Sequence, residues 1–176
     1  VTASSGEAME LGEADEVTVG DVTFAADASV TEQLAGESVY LSAESQDASD
    51  IDNISDELAE RIGDDPIYDI TIKNESMEDI SNFDGWITVS VPYELADGED
   101  PDNIVVWYID EEGNVIEITD VEYRDGYAIF KTNHFSKYCV TRMTSAEICA
   151  KYGHNYIDTS VPATCATDGY TAERCK

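Results

Sequence analysis

His134 and Ser136 are the residue types in this sequence that most directly suggest covalent chemistry. A histidine beside a serine is the pair that nucleophilic hydrolases use, with the imidazole as base and the hydroxyl as nucleophile. The two lie only two positions apart in the segment Phe130–Tyr138, and no third group at a suitable spacing marks itself as the orienting acid. We therefore expect both to satisfy hydrogen bonds of a turn while Phe135 enters the core, and we expect no enzymatic activity.

Aromatic side chains offer a second kind of chemistry, because a sugar ring can stack on an indole or a phenol. Trp86 and Tyr93 are the candidate glycan-binding residues. Trp86 falls out of phase with the alternating apolar residues of Ile87–Val91, so we expect it on the exposed face of a strand. Trp107 lies in a continuous apolar run and is expected in the core.

Asp97, Asp100 and Asp102 place oxygen ligands at short spacing in one acidic loop. Calcium prefers carboxylate and carbonyl oxygens, so this loop is a candidate calcium site. Solvated loop acids explain the same cluster without any metal. The sequence therefore requires no cofactor and leaves calcium as an alternative.

The four cysteines all lie within residues 139–176. Cys149, Cys165 and Cys175, together with His154, are residue types that bind zinc, and the same three cysteines are the disulfide candidates. In an oxidising compartment a bridge is slightly favoured over zinc, although the sequence cannot choose the pairing. Cys139, in the last predicted strand, is expected to be a lone buried thiol.

The charge of the chain is strongly acidic and unevenly distributed. It carries 39 acidic and nine basic residues, a net charge of −30, with −31 on residues 1–120 and +1 on residues 121–176. Such a surface repels phosphate backbones and anionic headgroups, which makes nucleic acid an improbable partner. No run approaches the roughly 20 apolar residues of a membrane helix, so we expect no membrane insertion.

Residues 17–142 have the pattern of an all-β domain. Short apolar runs recur between turn residues, and the hairpin turns at Asp110–Asn114 and Arg124–Tyr127 are the clearest local signals. These turns predict a meander of four strands, Ile104–Ile109, Val115–Thr119, Val121–Tyr123 and Tyr127–Lys131. About eight strands at this spacing predict a mainly antiparallel sandwich or small open barrel. One short α-helix is expected between Asp47 and Asp65, where the apolar period becomes helical.

Two further segments flank this domain. Residues 1–16 are small and acidic, which predicts a flexible leader or interdomain linker. Residues 143–176 contain little apolar material and are expected to form a small irregular tail that needs a crosslink, a metal or a neighbour to hold its structure. The chain stops just after Cys175, which suggests a fragment of a larger protein.

Several motifs together resemble a known type of module. They are Val89-Ser-Val-Pro-Tyr93, Ile104-Val-Val-Trp-Tyr108 and His134-Phe-Ser-Lys-Tyr138. Residues 60–142 thereby resemble the ZU5-like β-sandwich modules found near the ends of surface and secreted proteins of Gram-positive bacteria. The resemblance implies an extracellular or cell-wall location and no catalytic residues.

The tail separately resembles short cysteine-containing repeats of bacterial surface proteins. Its course runs through Cys149, His154, Cys165 and Cys175, and the final cysteine of the repeat would lie beyond Lys176. The resemblance implies a truncated repeat whose metal site is incomplete. The expected function is a non-catalytic structural or adhesive module, with other domains of its parent protein as partners and a cell-wall or host glycan or protein as a further partner. The alternative is a carbohydrate-binding module.

Overall fold

Two six-stranded sheets, formed by described residues of the first 142 positions, pack into an all-β sandwich. The structure is a computed structural model that describes residues 2–10, 16–153, 156–161 and 170–175. The strands in chain order are β1 (Thr2–Ala3), β2 (Glu7–Met9), β3 (Glu16–Val19), β4 (Val22–Ala26), β5 (Val39–Gln46), β6 (Ile67–Lys73), β7 (Asn82–Pro92), β8 (Ile104–Ile109), β9 (Val115–Ile118), β10 (Val121–Arg124), β11 (Tyr127–His134) and β12 (Lys137–Arg142). The predicted fold class is confirmed.

Each of the two sheets contains six of these twelve strands. The first sheet has the order β1-β3-β4-β7-β11-β10, and the second has the order β2-β5-β6-β12-β8-β9. All pairs are antiparallel except β1 with β3. Apolar residues at alternate positions of both sheets meet in one core, which in β7 contains Ile87, Val89 and Val91. This alternation is what a half-buried antiparallel sheet requires.

The second sheet is also covered on its outer face, at strand β8. Helix α2 (Asp56–Ile62) lies there, with the Arg61 guanidinium 5.0 Å from the centroid of the Trp107 ring. Trp107 is buried, as predicted. Its strand is covered on both faces, which explains why the strand is apolar throughout. Ser55 caps α2 by accepting the Leu58 N–H, and Gly63 ends it, so the predicted helix is confirmed.

Helix α1 (Ala28–Gln33) was not predicted, since six residues are too few to show a helical period.

Two other features also differ from the sequence analysis. Strands β9 and β10 do not continue one meander, because the chain crosses from the second sheet to the first between them. A turn signal shows where a strand ends but not which sheet the next strand joins.

The expected flexible leader is the second difference. Within residues 1–16, β1 pairs with β3 and β2 pairs with β5. Backbone hydrogen bonding to a sheet edge does not depend on side-chain hydrophobicity, so an acidic segment of low apolar content can still add short edge strands.

Residues 143–176 form the second compact unit. Its described part contains helix α3 (Ser145–Tyr152) and the antiparallel strands β13 (Tyr156–Val161) and β14 (Tyr170–Cys175). Thr144 and Glu147 form a reciprocal capping box at the start of α3. The tail is therefore more regular than its composition predicts.

Candidate functional site

Trp86 is a large aromatic side chain on the outer face of the first sheet. It is 53% exposed, whereas its neighbours Ile87 and Val89 point into the core. The prediction from strand alternation is confirmed for this residue. An exposed indole on a sheet is the geometry that stacking against a flat ligand requires.

The backbone around Trp86 is held by the start of helix α1. The Asp27 carboxylate accepts the Trp86 N–H at 2.8 Å through one oxygen and the Val30 N–H at 3.1 Å through the other. These two hydrogen bonds lower the pKa of Asp27, and the charge of Lys131 acts in the same direction. Asp27 thus joins the first turn of α1 to strand β7.

Gly85 makes this contact sterically feasible. A Cβ atom at position 85 would lie 2.2 Å from Asp27 Oδ1 and 2.8 Å from the Ser29 Cβ. Only a residue without a side chain allows the carboxylate to approach the strand so closely. Sequence reasoning missed both Asp27 and Gly85, although an isolated glycine within a strand pattern is a signal of close backbone approach.

A groove of about 520 Å³ lies beside Trp86. Its lining comes from the end of β11 and from β9 with the connection that follows it: Glu117, Ile118, Thr119, Asp120, Lys131, Thr132, Asn133 and His134. The mixture of one exposed indole with hydroxyl, amide and carboxylate groups is typical of a site for a polar ligand with flat apolar faces. Sequence reasoning found Trp86 but not its partners, because they come from strands distant in the sequence.

His134 has a structural position at the inner side of this groove. Its Nδ1 lies 3.0 Å from Asn133 Oδ1, its ring packs edge-on against Tyr108 at 4.4 Å, and its Nε2 is buried without a hydrogen-bond partner. Burial lowers the pKa of His134, which favours the neutral imidazole. Ser136 donates its hydroxyl to the Ile109 carbonyl oxygen at 3.1 Å. Both side chains have structural contacts, but Ser136 bonds a strand 27 residues away in the sequence and not the local turn that the sequence analysis expects.

Tyr93 does not share a surface with Trp86, and its prediction as an exposed glycan-binding residue is wrong. It is 6% exposed, and its hydroxyl donates to Glu99 Oε1 at 2.9 Å. Burial raises the pKa of Tyr93, and the hydrogen bond to Glu99 acts in the same direction. Seven residues along an extended strand amount to about 23 Å, which also separates it from Trp86.

A second groove, of about 620 Å³, lies beside Tyr93 and contains several acidic groups. Glu99 is fully occupied there, since Ala96 N–H donates to its second oxygen at 2.8 Å and Arg142 lies 3.9 Å away. A third groove, of about 390 Å³, contains the Lys137–Asp69 ion pair at 3.2 Å. In both grooves the charged groups named here form ion pairs with each other, so they are less available to bind a charged ligand.

The structure does not bring the three aspartates of the candidate calcium loop together as a set of metal ligands. Asp100 accepts the Asp102 N–H at 3.0 Å and so begins a short 3-10 turn, and Asp97 is exposed. Among the residues that the structure describes, no group of three or more His, Cys, Asp or Glu side chains could hold a metal ion. Asp100 thus stabilises the turn through a local backbone hydrogen bond, as short acidic side chains commonly do in turns, and Asp97 faces solvent.

The cysteine predictions lie mostly beyond what the structure describes. His154 and Cys165 fall outside the described residues, Cys149 lies in α3, and the backbone of Cys175 ends strand β14. The predicted disulfide and zinc alternatives for this set stay predictions. Cys139 is a buried free thiol, which confirms the prediction for this residue, and burial raises its pKa to about 12.

Comparison with known proteins gives no relative for this chain. No family model matches it, and neither the search of curated proteins nor the search of solved structures gives a match. The resemblance to ZU5-like modules and to bacterial surface repeats stays a prediction. In the described part of the chain, no helix is long and apolar enough to cross a membrane.

Proposed function

We propose that this protein is a non-catalytic structural or adhesive module of a secreted or cell-surface bacterial protein, where it spaces or presents neighbouring domains. The observation that carries the proposal is the position of strand β12. It ends the first unit at Arg142, yet it lies inside the second sheet, with β6 on one side and β8 on the other. The next part of the chain is therefore attached to a strand that neighbours hold on both sides.

The core of the first unit also supports an independent spacer. Tyr138 and Val140 of β12 join apolar residues from both sheets in one cluster, and the described residues of this cluster belong to the first unit. A domain with its own core can fold without its neighbours, which is what a module repeated or combined along a surface protein needs. The engaged positions of His134 and Ser136 favour a structural role for the pair over a catalytic one.

Location and partners belong to the same proposal. The net charge of −30 keeps a secreted protein soluble and dispersed, and the resemblance to Gram-positive surface modules favours an extracellular or wall-associated site. The proposed partners are other domains of the parent protein and a cell-wall or host glycan or protein.

The test is autonomous folding of the first unit. Residues 2–142 expressed alone should unfold in one cooperative transition, with a midpoint close to that of the same unit in the full chain. A matched truncation at Ser136, which removes β12 from the middle of its sheet, should not fold. Dependence of residues 2–142 on the following unit would contradict the proposal, as circular dichroism during heating would show.

We propose carbohydrate binding as the second candidate function, because Trp86 is exposed beside a polar groove. Affinity electrophoresis in gels that contain cell-wall polysaccharide measures it directly. Trp86→Ala should remove the retardation, and Tyr127→Ala should keep it. Tyr127 is a suitable control because it is 37% exposed on β11 and lies outside the groove lining. Unretarded migration of the unaltered protein would dismiss this candidate.

A further inference from the structure

We propose that the groove beside Trp86 selects glycans that carry protonated amino groups, such as a partly deacetylated polymer of N-acetylglucosamine. The inference rests on the second candidate function and adds the charge of the ligand to it. Four observations lead to it: the acids of the groove lining, its single lysine, the negative charge of residues 1–120, and the exposed indole of Trp86.

The acids come from one short stretch. Glu117 in β9 and Asp120 in the connection to β10 are both exposed and both line the groove. Neither acid takes part in the ion pairs among the described residues of this unit, which include Lys73–Asp79, Arg124–Glu122, Lys137–Asp69 and Arg142–Glu99. Their charges are directed to solvent and to whatever enters the groove.

The described groove lining contains fewer cations than acids. Lys131 is the only Lys or Arg in the lining, and its charge acts on the Asp27 carboxylate at the start of α1. His134 is held neutral by burial, so it adds no positive charge near neutral pH. The lining therefore carries the two acids Glu117 and Asp120 against the one positive charge of Lys131, which leaves a net charge of −1.

The field of the whole chain has the same sign. Residues 1–120, which include Trp86 and both groove acids, carry a net charge of −31. A field of this sign raises the local concentration of cations and lowers that of anions. An anionic glycan would meet repulsion, a neutral glycan would meet neither effect, and a cationic glycan would be attracted.

Trp86 can contribute to both parts of such a ligand. The indole face accepts the apolar C–H face of a sugar ring, and the same π system attracts an ammonium group within about 6 Å of its centroid. Tryptophan is the best of the aromatic residues for this second contact. An amino sugar therefore uses the indole and the carboxylates together, which neither a neutral sugar nor a simple cation does.

Three hexasaccharides of equal length test the proposal by isothermal titration calorimetry at a pH below the pKa of the sugar amine. They are the hexamer of glucosamine, the hexamer of N-acetylglucosamine and the neutral hexamer of glucose. The glucosamine hexamer should bind about tenfold more tightly than either neutral hexamer, and the difference should shrink as added salt screens the carboxylates. Equal affinities for all three would overturn the preference but keep carbohydrate binding, whereas binding of none would dismiss both.

Matched variants locate the interaction. The double variant Glu117→Gln with Asp120→Asn should lose the preference while retaining affinity for the neutral hexamers. The control Glu44→Gln with Asp97→Asn removes two exposed acids outside the groove lining and should leave the preference unchanged. Equal loss in both pairs, or equally tight binding of a lysine hexapeptide that survives Trp86→Ala, would show nonspecific charge attraction and overturn the proposal.

Discussion

At the scale of single residues, the surroundings of His134 favour its neutral form. Its Nδ1 faces the Asn133 side-chain oxygen, and its buried Nε2 has no hydrogen-bond partner among the described residues. Protonation would place an N–H group and a positive charge at that buried atom without compensation. The imidazole therefore fills space between Tyr108 and the turn, and its chemistry in the folded state is that of a neutral ring.

The pH dependence of stability follows from this position. Burial lowers the pKa of His134 in the folded protein below its ordinary value of 6.5. The unfolded chain then binds the proton more readily, so the stabilising effect is complete above pH 6.5 and is lost as the pH falls below it. The free energy of unfolding, measured with urea across this range, should fall more steeply for the unaltered protein than for His134→Gln. Because both proteins retain every carboxylate and His154, the difference isolates His134, and parallel curves would contradict the assignment.

At the scale of elements, the junction of α1 with β7 determines where Trp86 lies. Asp27 caps the helix and also accepts the Trp86 N–H, so one carboxylate fixes the helix start and the strand together. Gly85 supplies the space for that carboxylate. A substitution at either residue should alter the energetic effect of a substitution at the other, although they lie far apart in the sequence.

A double-mutant cycle measures this coupling. Gly85→Ala places a methyl group against Asp27 and Ser29 and should lower the free energy of unfolding by about 1–3 kcal/mol, the usual cost of overpacking. Asp27→Ala should also destabilise, but the pair together should cost less than the sum of the two, because alanine at position 27 removes the nearer contact. Urea unfolding followed by Trp fluorescence measures all four proteins. Strict additivity would show that the two residues do not act through the same contact.

The elements also show how far the sequence could predict this protein. Alternation predicted the inward-facing residues of β7, a continuous apolar run predicted the buried Trp107 of β8, and the helical period between Asp47 and Asp65 predicted α2, since these patterns are local. The sequence could not show that β9 and β10 join different sheets, because pairing depends on the whole core. The exposed position of Trp86 was predictable from its phase. The same phase places Tyr93 on the inward side with Ile87, Val89 and Val91, where its hydroxyl donates to Glu99 six residues later in the sequence.

At the scale of the whole molecule, net charge is the dominant electrostatic property. A chain with −30 charges repels itself when compact, and the repulsion is strongest when few counter-ions are present. The Debye length falls from about 30 Å at 0.01 M salt to about 8 Å at 0.15 M. At the higher ionic strength only neighbouring carboxylates still interact strongly, so most of the long-range repulsion across the sandwich is removed.

Thermal unfolding should therefore shift to a higher midpoint as sodium chloride is added over this range, and scanning calorimetry would show it. A midpoint that stays constant or falls would mean that attractive ion pairs outweigh the repulsion of the acidic surface.

Calcium and magnesium chloride at equal concentration provide the control for a specific site. Asp97, Asp100 and Asp102 form no ligand cluster in the loop between β7 and β8, so both divalent salts should raise the midpoint equally. A rise confined to calcium would restore the loop as a binding site, because screening by two divalent cations of equal charge cannot produce that difference.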